Sequence, residues 1–334
     1  MPTQIKIIPL LLFVFTLNCG KNQPIQLSGE TMGTTYQITI ITPSKNKVDA
    51  ILLQKRVDSL LTQVNKIFST YIETSELTRF NDNWSTMPIK ISPEFSELYE
   101  KAVNISISSE GSFDITVLPL VKLWGFGPDF TISQIPSQKK IQELLNFSGI
   151  NQLEFSNDSL RKINQHTQID FSAIGKGWGV DQVALFLDNQ GFENYMVEIG
   201  GEIIVSGRNN FNSKWTVGVL APGNIASELY ASIHITDAAV ATSGSYNNYF
   251  TLRNIDYSHI INPKTGYPIQ HDLVSATIVA PDCASADAIA TAVMVKGFED
   301  GLRWINTLSN VECLLVKKTD TGEYLTGKSR GFNY

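Results

Sequence analysis

Tyr195-Met-Val-Glu-Ile-Gly-Gly-Glu-Ile-Ile-Val-Ser206 reads as two short strands, Tyr195–Ile199 and Glu202–Ser206, on either side of a glycine pair. Both runs are too short for a helix and rich in β-branched residues. They open a series of strand signals at Trp215–Leu220, Ser232–Ile235, Tyr257–Ile261, Val274–Val279 and Val311–Lys317. Strands outnumber helices and cluster in the second half instead of alternating with them. That pattern predicts an α+β fold with a largely antiparallel sheet, not a doubly wound parallel one.

Toward the amino terminus, Thr35–Ile41 alternates as a half-buried strand does. From Val48 to Phe68 apolar residues recur at three- and four-residue steps, which predicts a long amphipathic helix. A second helix is predicted from Pro93 to about Ile107, with Ser92 as its N-cap. Shorter helices are predicted from about Ser137 to Asn146 and from about Gly177 to Asn189. At 334 residues the chain makes one large or two intimate domains. Its 43% hydrophobic and 17% charged residues are those of a globular protein. A formal charge of −6 argues against a nucleic-acid binder, which needs clustered Lys and Arg.

Lys6 precedes an apolar run from Ile7 to Leu17, and Cys19 follows. The run is short for a membrane span and suits the core of a signal peptide. The expectation is a signal peptide at 1–18, a lipidated Cys19 with a tether to residue 27, and a folded domain over 28–334. Thr16 and Asn18 depart from the small-residue pattern usual before such a cysteine, and an uncleaved anchor or plain secretion are the competing readings. The protein would then be membrane-anchored through lipid in a bacterial cell envelope, facing the periplasm or the cell exterior. Cys283 and Cys313 would remain, as one disulfide or two buried thiols.

Four segments bear on chemistry. In Asp170-Phe-Ser-Ala-Ile-Gly-Lys-Gly-Trp-Gly-Val-Asp181 an acid precedes a glycine-rich turn into a helix. Free amides at the helix start beside Lys176 would suit a phosphate, and the competing reading is a plain tight turn. Its glycine spacing is not the dinucleotide fingerprint. Gly322-Glu-Tyr-Leu-Thr-Gly-Lys-Ser329 fits the P-loop pattern, but only five residues follow, too few for the required helix, so a β-turn beside a terminal strand is expected. In Cys283-Ala-Ser-Ala-Asp287-Ala-Ile-Ala-Thr291, Asp287 and Thr291 are four apart and share a helix face. They offer hard oxygens of the kind Mg²⁺ prefers, or else a helix start with an incidental threonine. His259 sits where a strand meets a Pro/Gly turn, as a general base or as a structural histidine.

The ordered set of segments resembles the ApbE family of FAD:protein FMN transferases over about residues 28 to 300. The matching pieces are Met32-Gly-Thr34, Ser69-Thr-Tyr71, Ser75-Glu-Leu, Arg79-Phe-Asn81, Gly111-Ser-Phe-Asp114, Pro119-Leu and Trp124-Gly-Phe-Gly127. They continue with Asp170 to Asp181, Gly200-Gly-Glu202, Ala241-Thr-Ser-Gly244, His259 to Gly266 and Ala286 to Thr291.

The resemblance implies a two-lobed fold that binds FAD as substrate with Mg²⁺ and passes FMN to a threonine of an acceptor protein, releasing AMP. It implies metal contacts at Asp287, Thr291 and the Ala173 carbonyl, and FAD contacts at Met32, Tyr71, Ser112, Phe113, Asp114, Asp170 and Lys176. Ile261 is added as an FAD contact because i and i+2 on a strand face one side. His259 matches the family's base. The acceptor would be a protein such as a subunit of a respiratory redox complex. Ala290 stands where some members carry a further acid, Asn262 where Asp is usual, and Glu202 where Gly-Gly-Asp is common. An FAD pyrophosphatase or a non-catalytic flavin-binding lipoprotein are the competing readings.

Overall fold

The structure, a computed structural model, describes residues 23–43, 48–126, 135–222, 228–245, 249–252 and 255–333. The expected signal peptide, Cys19 and Gly127 lie outside the described residues. Among those described, no helix is long and apolar enough to cross a membrane.

The first half of the chain forms strands β1 (Gln23–Thr31) and β2 (Thr34–Thr42), helices α1 (Ala50–Phe68) and α2 (Glu76–Asp82), strand β3 (Ile89–Lys90) and helices α3 (Pro93–Ser108), α4 (Leu118–Leu123) and α5 (Gln138–Leu145). Strands β4 (Leu153–Ser156) and β5 (Ser159–Lys162) follow, then helix α6 (Gly175–Asn189) and strands β6 (Tyr195–Ile199), β7 (Glu202–Ser206), β8 (Trp215–Leu220), β9 (Leu229–Ile235), β10 (Ala238–Gly244), β11 (Tyr249–Leu252), β12 (Ile255–Ser258) and β13 (Leu273–Ala280). Helices α7 (Cys283–Lys296) and α8 (Phe298–Ile305) precede β14 (Glu312–Lys318) and β15 (Tyr324–Lys328).

Eight strands form one sheet in the order β1-β2-β6-β7-β10-β13-β14-β15. Every adjacent pair in it is antiparallel, as the strand clustering predicted. One face packs against α1, α6 and α7 through Tyr36, Ile38, Val197, Ile199, Ala276 and Ile278. The other face carries Ile41, Val205, Val240 and Val279, which the β8–β9 hairpin covers with Trp215, Val217 and Ile233. Helix α7 is buried along most of its surface, with Ala284, Ala286, Ala288, Ala290 and Ala292 fully buried. Its small residues let neighbouring backbones approach closely, as α6 does at Cys283 and Ala284.

Local signals account for the elements read correctly. Ser92 Oγ accepts from Phe95 N at 3.3 Å and Pro93 opens α3, as expected. Three expectations change. The tether was placed at 19–27, but β1 begins at Gln23 and pairs with β2 along its whole length, so the folded part starts earlier. The strand expected over Tyr257–Ile261 ends at Ser258, because the turn after it closes on itself: Asn262 N donates to Tyr267 O at 2.8 Å and Gly266 N to Asn262 O at 2.8 Å. Ile261 therefore makes only an isolated bridge to Pro268, and the i, i+2 argument that paired it with His259 does not hold. Strand β10 went unread because it is buried and lacks alternation.

Candidate active site

A cleft of about 480 Å³ opens where the start of α6, the middle of α7, the β6–β7 turn and the end of β10 face the segment after β12. Its size is that of a small-molecule site. It gathers Tyr71, Ser112, Phe113, Asp114, Asp170, Ala173, Lys176, His259, Ile261, Asp287 and Thr291 from five separate stretches of chain. Of the residues expected in the site, Met32 alone is not among its walls. Met32 occupies the β1–β2 turn with φ 50°, and its methyl group packs against Gly179 of α6.

Helices α6 and α7 meet at their N-termini, and each holds the other by a carboxylate. Asp181 on α6 accepts from Cys283 N at 2.8 Å and Ala284 N at 2.9 Å, the free amides that begin α7. Asp287 on α7 accepts from Gly177 N at 3.1 Å in the first turn of α6. Gly177 allows this approach, since a Cβ there would lie 2.3 Å from Cys283 O. Burial pushes the Asp181 carboxyl up to about 7, against the pull of its two amide donors.

Two of the amides expected to receive phosphate are already used. Gly175 N donates to Phe171 O at 2.7 Å, and Gly177 N is the Asp287 donor. Of the two readings left open for this glycine-rich turn, tight packing accounts for Gly177, and the cation for an anionic ligand is Lys176 itself. Asp287 and, after it, Glu202 hold the Lys176 ammonium well above the usual lysine range. Lys176 Nζ lies 3.4 Å from Glu202 Oε1. Glu202 is buried at 4% exposure and lines the cleft. Burial first, then Asp287, raises its carboxyl above the usual value, while Lys176 pulls it back.

Asp287, Thr291 and Ala173 line one cleft, where the carboxylate and the hydroxyl lie beside the chain segment whose carbonyl the resemblance adds to them. These hard oxygens fit Mg²⁺. Thr291 Oγ1 is 3.3 Å from Ser243 Oγ on β10, which fixes the hydroxyl at the cleft wall. Among the described residues no three His, Cys, Asp or Glu side chains gather to cage a metal alone.

The other expected contacts differ in character. Asp114 Oδ1 accepts from Thr116 N at 2.8 Å and Thr116 Oγ1 at 2.6 Å, and its Oδ2 accepts from Ile150 N at 3.1 Å. Much of its carboxylate is thus spent on shaping the wall, and burial raises its pKa. Asp170 bonds Ser172 N and Oγ through Oδ1, at 2.8 and 2.5 Å, and burial raises it too. Phe113 is 3% exposed and belongs to the core, so it borders the cleft as a packed ring. Tyr71 is the opposite, 72% exposed on the loop that Ser75 Oγ fastens to Ser69 O at 2.6 Å. Its ring is free to cover a planar ligand.

His259 is half-buried, edge-on to Phe126 with ring centres 6.3 Å apart. The turn after it is pinned from both sides. Trp124 Nε1 donates to Gly266 O at 2.7 Å, and Asn262 Oδ1 accepts from Lys264 N at 2.9 Å. The Asn262 side chain thus supports the turn in the way an aspartate would.

The ApbE family model matches residues 32–315. This chain belongs to the ApbE family. It is 39% identical over 312 residues to an FAD:protein FMN transferase of Vibrio cholerae, covering 93% of each chain. It is 33% identical to a protein of that name from Escherichia coli, over 88% of this chain and 85% of the relative. The solved flavin transferase ApbE from Vibrio cholerae superposes with a TM-score of 0.85 over 93% of this chain and 98% of its own, at 38% identity. The apo form of the Pseudomonas stutzeri flavinyl transferase ApbE does so at 0.86 and 30% identity, over 95% and 98%.

Two roles in this ApbE chain were not read from the sequence. Asp181 was seen only as the end of the glycine-rich segment, and its function as the cap of α7 depends on a contact 102 residues away. Glu202 was seen as a mild departure in a turn. The two-residue loop of Gly200 and Gly201, with φ of 59° and 102°, sets it at the mouth of β7 facing the cleft.

Proposed function

We propose that this transferase of the ApbE family moves FMN from FAD to a threonine hydroxyl of an acceptor protein, with release of AMP and with Mg²⁺ as its metal. The observation that carries the reading is the convergence of Lys176, Asp287, Thr291 and His259 on one cleft. Asp287, Thr291 and the Ala173 carbonyl would hold Mg²⁺. When bound, the ion neutralises charge that develops on the pyrophosphate oxygens.

The protein's own groups do the rest. Lys176 places a fixed cation beside the phosphates. Tyr71 covers a ring of FAD, a stacking contact typically worth about 1 kcal/mol. His259 accepts the proton of the threonine hydroxyl, which is a poor nucleophile without a base. The hydroxyl oxygen forms a bond to the FMN phosphorus. The bond from that phosphorus to the bridging oxygen breaks, and its electron pair leaves with AMP.

Incubation with FAD, Mg²⁺ and a candidate acceptor, followed by intact-mass analysis, tests this. An FMN-sized gain on the acceptor is expected. Free FMN and AMP with no gain would assign a pyrophosphatase instead.

The same proposal places the enzyme outside the cytoplasm, tethered through lipid on Cys19, where a subunit of a respiratory redox complex would be its acceptor. The apolar run from Ile7 to Leu17 before Cys19 supports export. Labelling with palmitate, lost in Cys19→Ser, is the expected result.

A further inference from the structure

Among the described residues, three buried side-chain polar atoms have no hydrogen-bond partner: Arg161 Nε, Ser275 Oγ and Glu202 Oε2. Only Glu202 belongs to the cleft. An unpaired carboxylate oxygen at this depth costs free energy unless something meets it. Lys176 does not meet it. Its ammonium lies on the other oxygen, Oε1, and at 3.4 Å it is longer than the 2.7–2.9 Å of a tight charge-assisted pair. Lys176 also stands under the influence of Asp287, so two carboxylates share one ammonium. With both carboxyls ionised, the formal sum of Asp287, Glu202 and Lys176 is one negative charge, enclosed at the end of the cleft where a pyrophosphate would bind. A dication reverses that sum to one positive charge, the sign an anionic substrate requires.

We infer that Glu202 supplies a second anionic oxygen, Oε2, to the divalent cation held by Asp287 and Thr291. The inference rests on the cation site proposed above and extends it to the β6–β7 turn. It assigns the glycine pair a purpose, because the turn carries a carboxylate across from α7 to the open side of the ion. It also makes Lys176 a counter-charge shared between the two acids before substrate arrives.

The test is Mn²⁺ binding, followed by electron paramagnetic resonance, to the full chain stripped of divalent ions and without FAD. Glu202→Gln keeps the shape and removes the charge. We expect Mn²⁺ affinity to fall at least tenfold, in the range seen when partners of metal ligands are removed. The metal-free variant should unfold at the same temperature as the parent or a higher one, since a buried charge has gone. Asp287→Asn is the companion variant. Mn²⁺ affinity within twofold of the parent in Glu202→Gln, with binding lost in Asp287→Asn, would overturn the role of Glu202 and leave the cation site standing. Unchanged binding in both variants would overturn the cation site and the role of Glu202 with it.

Discussion

Gly177→Ala puts one methyl group into the contact that builds the site. The added carbon would sit 2.3 Å from Cys283 O, 2.6 Å from Cys283 C and 2.7 Å from Ala284 Cα, all backbone atoms. Carbon contacts relax near 3.5 Å or more, so α6 and α7 must part by about 1 Å. On an exposed helix this exchange stabilises by about 1 kcal/mol. Here overpacking costs about 1–3 kcal/mol. Parting the helices also stretches the 3.1 Å bond from Gly177 N to Asp287 past its limit. A buried carboxylate that loses a donor costs about 1–3 kcal/mol more. After subtracting the helix gain, the net loss is about 1–5 kcal/mol. Urea unfolding should show a lower midpoint with an unchanged slope. Gly175→Ala is the control, because nothing lies within 4 Å of the position its methyl group would take. It should unfold at the parent midpoint or slightly above. A Gly177→Ala protein as stable as the parent would refute the account of this helix crossing.

His259→Ala should slow FMN transfer by about 10²–10⁴-fold, the usual contribution of a general base, while FAD affinity measured by flavin fluorescence changes little. Asp287→Ala should abolish Mg²⁺-dependent turnover in the same assay, and equal loss of FAD affinity in the two variants would contradict the division of roles. Asn81→Ala should destabilise by about 2–4 kcal/mol in urea, since it strands two buried backbone groups at once: Asn81 Nδ2 donates to Ile169 O at 2.8 Å and its Oδ1 accepts from Ile169 N at 2.7 Å. Asp181 titrates near 7 in the folded protein, far above an ordinary carboxylate, so the fold keeps a proton that the unfolded chain gives up from about pH 4. Stability should therefore fall as pH rises from 4 to 7, by up to about 4 kcal/mol for this group, and Asp181→Asn should flatten the urea midpoint across that window.

How far the fold could be read depended on whether a signal was local. Ser92 and Pro93 announce α3 within four residues, and the structure places the cap where they say. Strand β1 gave no such sign, because Gln23–Thr31 owes its conformation to pairing with β2. The helix spacing of Asp287 and Thr291 set both on one wall of the cleft, as periodicity implies. Nothing near Glu202 in the chain tells that one of its oxygens lacks a partner. That fact exists only once α6, α7 and the β6–β7 turn have come together.

The two glycine-rich segments make the same point from opposite sides. Gly322 to Ser329 fits a phosphate-binding pattern, yet it forms a turn and strand β15, with Ser329 Oγ accepting from Cys313 N at 2.8 Å. Gly175 to Gly179 fits no dinucleotide pattern, yet it stands at the anionic end of the cleft. A motif specifies the residues but not their neighbours. Gly177 is a glycine because α7 lies against it, and α7 lies there because Asp181 and Asp287 bind across the gap. The carboxylate proposed to bind metal is therefore also the one that locks the two helices together. Catalytic geometry and local stability are then a single property of this crossing, and a change that loosens α6 from α7 should weaken cation binding before it unfolds the protein. Gly177→Ala measured for Mn²⁺ affinity in the absence of urea separates the cases: a lowered urea midpoint with parental affinity would show that packing and metal geometry are independent.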